Sequence, residues 1–170
     1  FFIGTFDGQG YSITDLYINR PTEGSVALFG KTDSSAIIQN LRLVDVEVHG
    51  LREVGGLVGI NVEICHIYRC SVSGVIDGDG IHVGGLLGQN FGLVEECFST
   101  ASVTNYESNG ILARTGVLIG EGYFFSTVSN CYATGEVNGG DAGGLMGWNA
   151  SSKSTEPANV YYSYAAGKVT

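Results

Sequence analysis

The sequence predicts an all-β fold, a parallel β-helix (β-solenoid) of about five coils with 25–34 residues each, for three reasons. A Gly-Leu-x-Gly segment recurs five times, and a second apolar segment recurs between its copies. Glycine supplies 27 of the 170 residues and proline only 2, which excludes collagen and disfavours a low-complexity linker. Residues 1–170 are expected to form one repeat domain, and the start at Phe1 without an initiator Met suggests a fragment of a larger protein.

Leucine occupies the second position in every copy of the first repeated segment. The copies span residues 27–30, 56–59, 85–88, 117–120 and 144–147, and their last glycines are 29, 29, 32 and 27 residues apart. A strand that returns once per period can lie directly on its previous copy, with equivalent side chains about 4.8 Å apart. We therefore predict a structural ladder of Leu28, Leu57, Leu86, Leu118 and Leu145.

The second repeated segment has apolar residues at alternate positions. Its six copies align as residues 13–18, 38–43, 67–72, 94–99, 128–133 and 158–163. Period-two alternation places the fourth residue of each copy on the same face of the sheet as the sixth. The fourth position is predicted to form an inward column of Leu16, Leu41, Cys70, Cys97, Cys131 and Tyr161.

The length of the period favours a β-helix over other repeat folds. A period near 29 residues is too short for a four-stranded propeller blade, and the short β-branched and aromatic pieces lack helical spacing. Since parallel crossovers are overwhelmingly right-handed, we predict a right-handed coil.

The cysteines are expected to be free thiols that pack in the core. Cys70, Cys97 and Cys131 occupy positions that hold leucine in earlier copies, and three residues in one column cannot all pair. Cys65 lies outside this column.

Asparagine follows the last glycine of three first segments at a spacing of two residues. We predict that Asn61, Asn90 and Asn149 form a structural ladder at a turn, because stacked asparagines bond backbone groups and each other's amides. Val117 replaces a glycine and Gly122 replaces an asparagine in one copy, so that coil is expected to be distorted.

These motifs resemble the GLUG-motif family. The resemblance rests on Val54-Gly-Gly-Leu-Val-Gly-x-Asn61 and on Asn130-Cys-Tyr-Ala-Thr-Gly135, and it covers nearly the whole chain. It implies the repeat region of a large secreted or surface-attached microbial protein, as in filamentous-haemagglutinin-like adhesins and beside the peptidase domain of some immunoglobulin A proteases. An extracellular or cell-surface location follows from the same resemblance.

The net charge and the sequence motifs point away from several functions. A net charge of −9 offers no basic stripe for nucleic acid, and no apolar run approaches the length needed for membrane insertion. We expect no catalytic residue, no metal site and no cofactor, since His49, His66 and His82 share no coil position and no nucleophile motif is present. Any catalysis would lie outside this segment.

A possible ligand or partner surface consists of outward aromatic residues. Phe98, Tyr132 and Tyr162 are aligned over three successive copies, with Tyr164 two residues further along. Such a strip can stack on sugar rings or cover a partner's apolar surface, and a neighbouring loop or domain can also cover it. A loop insertion near residues 104–115, containing Tyr106 and Glu107, is a second place for specificity.

The leading functional hypothesis is a non-catalytic structural or adhesive repeat segment. The alternatives are a glycan-binding module that uses the aromatic strip, and an accessory domain of a secreted peptidase or carbohydrate-active enzyme. The expected partners are neighbouring coils or subunits stacked end to end, because the last copy is not followed by another Gly-Leu-x-Gly segment, and a surface glycan or protein of host or microbe.

Overall fold

The computed structural model describes residues 1–106, 112–151, 155 and 157–170. These residues form 23 β-strands and no helix, and the strands of successive coils pair in parallel. The prediction of an all-β, parallel β-solenoid with about five turns is therefore confirmed. The right-handed coil stays a prediction.

Three parallel sheets run along the solenoid, and each coil adds strands to each of them. Sheet A contains β1 (Thr5–Asp7), β5 (Ile37–Gln39), β8 (His66–Tyr68), β12 (Leu93–Glu95), β17 (Thr127–Ser129) and β22 (Asn159–Tyr161). Sheet C contains β4 (Phe29–Lys31), β7 (Val58–Asn61), β11 (Leu87–Asn90), β16 (Ile119–Tyr123) and β21 (Met146–Ala150).

Sheet B is the longest sheet and joins the other two within each coil. Its strands are β2 (Ser12–Thr14), β3 (Tyr17–Val26), β6 (Arg42–Gly55), β9 (Ser71–Gly78), β10 (His82–Gly84), β13 (Phe98–Ser99), β14 (Ser102–Asn105), β15 (Arg114–Gly116), β18 (Tyr132–Ala133), β19 (Val137–Asn138), β20 (Ala142–Gly143) and β23 (Tyr164–Ala165).

The Gly-Leu-x-Gly segments have the predicted register. Phe29 pairs with Val58, Val58 with Leu87, and Leu87 with Ile119, so the five leucines follow one another along the coil axis. The backbone links them, because Leu57 N–H donates to Leu86 O at 3.0 Å and Leu86 N–H to Leu118 O at 2.9 Å. Leu57, Leu86 and Leu118 are fully buried, while Leu28 and Leu145 in the outer coils are partly buried.

Glycine is required where the backbone of sheet C lies against strands β6 and β10 of sheet B. A Cβ on Gly88 would lie 2.6 Å from the carbonyl carbon of Glu53 and 2.7 Å from Gly59 O. A Cβ on Gly120 would lie 2.6 Å from Gly88 O and 2.7 Å from Val83 N. Because side chains cannot fit at these distances, the motif glycines let two layers of backbone pack directly on each other.

The second repeated segment has the predicted register in its four central copies. Ile38, Ile67, Val94 and Val128 pair in sequence, and Leu43, Val72, Ser99 and Ala133 do so on the next strand. All of these side chains are buried. The fourth residue of each of these copies is buried as well, so the fourth and sixth positions share the inward face, as the period-two pattern predicts.

The alignments of the first and last copies were wrong. Ile13 pairs with Leu43, and the residue equivalent to Ile38 is Phe6. The corner at Gly8 to Gly10 contains two more residues than the next corner, since Phe6 and Ser12 pair with Ile38 and Arg42. Leu16 therefore does not belong to the cysteine column.

In the last copy the error is a shift of two residues. Val128 pairs with Val160, not with Ala158, and Ala133 pairs with Ala165, not with Ser163. A shift of two keeps every side chain on its original face, so the alternation pattern could not detect it. Ser163, rather than Tyr161, continues the cysteine column.

The two ends of the predicted loop at residues 104–115 belong to strands. Thr104 and Asn105 belong to β14, while Arg114 and Thr115 belong to β15. Tyr106 follows β14, and its hydroxyl lies 3.3 Å from an Asp77 carboxylate oxygen. Glu107 lies outside the described residues.

Candidate functional site

The cysteine column is a hydrogen-bonded corner between sheets A and B. Cys97 Sγ accepts the N–H of Cys70 at 3.3 Å, and Cys131 Sγ accepts the N–H of Cys97 at 3.4 Å. Each thiol also lies near the carbonyl oxygen two residues earlier, at 3.2 Å for Cys97 and Glu95 O. Ser163 Oγ accepts the N–H of Cys131 at 3.1 Å in the same way. The column therefore satisfies backbone donors at a corner as well as packing in the core.

The four cysteines are free and buried. Burial raises the pKa of the Cys97 thiol well above its ordinary value, because the thiolate would lose its hydration. The corner is formed by residues with positive φ, which sequence reasoning missed: Asn40, Arg69, Glu96, Asn130 and Tyr162. Apart from the two asparagines, these residue types carry no strong signal for the left-handed conformation.

The aromatic surface consists of Phe98, Tyr132 and Tyr164, which we call the aromatic column. The rings of Phe98 and Tyr132 are 4.7 Å apart with an interplanar angle of 4°, and those of Tyr132 and Tyr164 are 5.5 Å apart at 10°. Tyr162 was wrongly aligned with this column: it occupies the corner position of Asn130, with φ 46° and an exposed fraction of 88%. The register pairs Tyr132 with Tyr164, because the last copy is shifted by two residues.

The ring geometry limits what the aromatic column can bind. At centroid distances of about 5 Å and nearly parallel planes, each inner ring face is covered by its neighbour. The outward surface is then made of ring edges and tyrosine hydroxyls. Since stacking on a sugar needs an open ring face, the column offers little area for that contact.

The buried part of the asparagine ladder contains Asn61 and Asn90, with Thr32 and Ser126 in place of asparagine at its two ends. Asn61 Nδ2 donates to Asn90 Oδ1 at 2.8 Å, and Asn90 Nδ2 donates to Ser126 Oγ at 2.8 Å. Thr32 begins the network through its hydroxyl, which donates to Asn61 Oδ1 at 3.1 Å. Ser126 thus replaces the asparagine that is missing at position 122. The coil with Gly122 keeps its register with the next coil, because Gly122 pairs with Asn149. The Asn149 side chain is exposed.

Sequence reasoning missed a buried charged network, which is centred on Glu121. Glu121 and His82 are only 2% and 6% exposed. The Glu121 carboxylate accepts a hydrogen bond from Gln89 Nε2 at 2.6 Å, lies 2.8 Å from His82 Nε2 and forms an ion pair with Arg114. The guanidinium of Arg114 lies over the ring of Trp148 at 4.9 Å.

Two pairs of adjacent strands bring these side chains together. His82 and Arg114 are register partners in β10 and β15, and Gln89 and Glu121 are register partners in β11 and β16. The glycine contact between sheets B and C holds the two pairs close to each other. The repeat aligns Gln89 with Glu121 and His82 with Arg114, since each pair has the same distance from the motif glycines. No motif connects one pair with the other, because their proximity depends on how the layers pack.

The network keeps Glu121 ionised and leaves two polar atoms unpaired. Burial alone would raise the pKa of Glu121, but hydrogen bonding and charge from His82, with Gln89 and Arg114, hold it below its ordinary value. A carboxylate only accepts, so His82 Nε2 carries the proton of this contact. Among the described residues, His82 Nδ1 and Arg114 Nε are buried and have no hydrogen-bond partner.

A cavity of about 520 Å³, which we call the Glu121 cavity, opens beside this network. Glu121, His82, Gln89 and Arg114 line it. Its remaining walls are Ile81, Leu112, Phe91, Tyr123 and Phe124. Phe91 contacts Tyr123 at 6.1 Å and Phe124 at 6.4 Å between ring centroids.

A neighbouring cavity of about 640 Å³ lies beside it along the coil axis. The two cavities share Gln89 and Phe91, so they form parts of one groove. The residues that follow the motif glycines line this groove, with Lys31 and Ile60 in one cavity, Gln89 in both and Glu121 in the other. The chemistry of the lining therefore changes from coil to coil.

The histidines lie in separate environments. His49 contacts Glu47 and Asp77 at 2.8 and 3.2 Å, and His66 lies 3.3 Å from Glu95. Within the part of the chain that the structure describes, no group of three or more His, Cys, Asp or Glu residues is arranged to hold a metal ion. The described residues also contain no helix with the length and apolar character that crossing a membrane requires.

Comparisons with known proteins agree with the repeat assignment. The family model of the GLUG motif matches residues 79–104 and 112–138, and the second match includes the coil with Val117 and Gly122. Halomucin of Haloquadratum walsbyi is 38% identical over 115 residues, which are 64% of this chain and 1% of that protein. The chain thus corresponds to about 1% of the length of this relative. No solved structure matches the chain.

Proposed function

We propose that this chain, which carries GLUG-motif repeats, is a non-catalytic structural and adhesive segment of a large extracellular or cell-surface microbial protein. The large size of the parent protein is inferred from the similarity of this chain to halomucin, of which the matched part is 1%. The surface location rests on the GLUG resemblance and on the name of that relative. Catalysis would be supplied by other parts of such a protein.

The observation that carries this proposal is that the recurring side chains serve contacts between coils. The leucine ladder, the cysteine corner and the asparagine ladder each connect one coil to the next. Each added coil lengthens a β-solenoid by about 4.8 Å, the spacing of paired strands. A segment built in this way provides length and a rigid surface for display.

End-to-end contact is the partner interaction that this proposal includes. Apolar side chains of the last coil are partly exposed, with Val160 at 38%, Tyr164 at 59% and Val169 at 49%. Exposed strand edges beside apolar side chains favour pairing with further strands. We propose that neighbouring coils of the parent protein, or a second copy, cover this end.

The aromatic column supports a second, weaker candidate, which is a contact surface for a partner. Its ring edges and hydroxyls suit the apolar and polar groups of a protein surface better than the face of a sugar ring. A glycan-binding role for Phe98, Tyr132 and Tyr164 would need an open ring face. An accessory role beside a peptidase or carbohydrate-active domain depends on the flanking chain.

The proposed location can be tested on cells of the source microbe. Antibodies raised against the 170-residue chain should label intact cells, and mild external protease should remove the label. A cytoplasmic enzyme serves as the control that must stay unlabelled until the cells are permeabilised. Labelling that requires permeabilisation would contradict a surface role.

A further inference from the structure

We propose that the Glu121 cavity binds an uncharged pyranose unit of a glycan. The site lies on the groove between sheets B and C, away from the aromatic column. This inference does not rest on the structural role proposed above, because a scaffold needs no buried ionised network. It rests on the contacts of Glu121, His82, Arg114 and Phe91.

The first argument is that packing does not require a charge at this position. The equivalent positions of neighbouring coils hold Ile60 and Trp148, which are register partners of Gln89 and Glu121. A buried ion pair is often no more stable than apolar residues of similar volume. The coil with Glu121 is also the coil in which Val117 and Gly122 depart from the motif. The departures from the repeat therefore coincide with the charged network.

The charges of the site point to an uncharged ligand. Glu121 is matched by Arg114 and is hydrogen-bonded by Gln89 and His82. An anionic ligand would face the Glu121 carboxylate, and a cationic ligand would face Arg114. Neither charge is left unmatched, so neither type of ion gains a partner that the protein has not already supplied.

The polar lining of the cavity indicates hydroxyl groups. Arg114 supplies donors, the Glu121 carboxylate supplies acceptors, and the amide of Gln89 supplies both. A hydroxyl both donates and accepts, whereas an ammonium group only donates and a carboxylate only accepts. Sugars carry hydroxyls on neighbouring carbons, so one ring can make both kinds of contact.

The walls of the cavity fit the apolar face of a sugar ring. Phe91, Tyr123 and Phe124 line the cavity together with the polar side chains. The volume of about 520 Å³ lies within the range of about 300–1,000 Å³ that is usual for small-molecule sites. The shared groove beyond Gln89 gives room for the next unit of a linear chain.

Trp148 provides a direct readout of binding. It is the one tryptophan of the sequence, and Arg114 lies over its ring. We would titrate the chain with cellotetraose, mannotetraose and chitotetraose and follow Trp148 fluorescence, after a glycan microarray has identified which of these is retained. We expect a saturable change with at least one of them.

Two cavity variants and one control variant distinguish the site. Glu121→Gln and Phe91→Leu should each weaken binding by about tenfold or more, because one disturbs the polar lining and the other removes a ring face. Tyr132→Ala in the aromatic column should leave affinity unchanged. Thermal melts identify a variant that fails to fold. If Glu121→Gln does not fold, the affinity of Phe91→Leu tests the site, since this variant retains an apolar side chain.

Three outcomes would overturn the proposal. They are no binding of any of the three tetrasaccharides at millimolar concentration, unchanged affinity in the folded cavity variants, and loss of binding in Tyr132→Ala alone. Retention of acidic glycans in place of the uncharged ones would likewise reject the ligand class. Surface labelling of cells is independent of these results, so failure of one proposal leaves the other standing.

Discussion

Single residues decide whether a coil can stack, and the central leucines illustrate this best. Leu57, Leu86 and Leu118 are fully buried at the position that the repeat indicates. Their burial could be predicted because leucine recurs once per coil at the same place before the motif glycine. The role of Glu121 could not be predicted, because no recurrence marks a residue whose partners come from another layer.

Leu86→Asp should prevent folding of the chain. The substitution buries a carboxylate without a partner, which costs several kcal/mol and approaches the total stability of a domain. Circular dichroism and a thermal melt measure the effect. Leu112→Asp is the matched control, since Leu112 is 74% exposed and should tolerate the charge. A cooperative melt of Leu86→Asp at the wild-type temperature would contradict the ladder.

The cysteines should be thiols that react only after unfolding. All four are buried, so the reagent cannot reach them in the native chain. Burial also raises the pKa of Cys97, whereas hydrogen bonds to Cys97 lower the pKa of Cys70 and of Cys131, so exclusion of the reagent protects those two. Iodoacetamide should add no mass to the native chain at pH 8 and four carbamidomethyl groups after denaturation, as measured by intact mass spectrometry. Two linked pairs in the unreduced chain would show the thiol assignment to be wrong.

At the scale of elements, the pattern of the sequence fixes the central strands but not the terminal ones. Ile38, Ile67, Val94 and Val128 could be aligned because each is a β-branched residue three positions before the residue of the cysteine column. The first copy uses Phe6 in place of such a residue, and its corner is two residues longer. The last copy was misplaced by two residues, a shift to which alternation is blind.

Asn90→Ala should destabilise the chain by about 1–3 kcal/mol. It removes the acceptor of Asn61 Nδ2 and of the Gly92 N–H inside a buried turn, and unpaired buried donors cost energy in this range. Chemical denaturation measures the loss. Asn149→Ala changes the same motif position where the side chain is exposed, and we expect a change below about 0.5 kcal/mol. Equal effects at both positions would contradict the buried ladder.

At the scale of the whole molecule, a solenoid is stable along its length and vulnerable at its ends. Interior coils are covered on both sides, whereas Val160, Tyr164 and Val169 in the last coil are partly exposed. Repeat proteins usually protect such ends with atypical coils or with a neighbour. The end-to-end contact that we propose would provide that protection.

The isolated chain should associate as its concentration rises. Sedimentation velocity over a concentration series is the measurement, and Val160→Lys with Tyr164→Lys should shift the chain toward the monomer by placing charges on the exposed edge. Ile64→Lys with Leu112→Lys adds the same charge at exposed sites of interior coils, away from both ends, and should leave association unchanged. A monomer at high concentration whose amides from residue 160 to 165 resist hydrogen exchange would rule out this contact.

The central claim is that each coil pairs in register with the next, and hydrogen-bond scalar couplings measured by NMR test it most directly. They should connect Leu57 N–H to Leu86 C=O, Leu86 N–H to Leu118 C=O and Leu118 N–H to Leu145 C=O, since these contacts are 3.0, 2.9 and 3.0 Å long. Couplings between those residues would demonstrate the parallel solenoid without any assumption about its function. Couplings that instead connect the leucines to residues of their own coil, or to a shifted register, would contradict it.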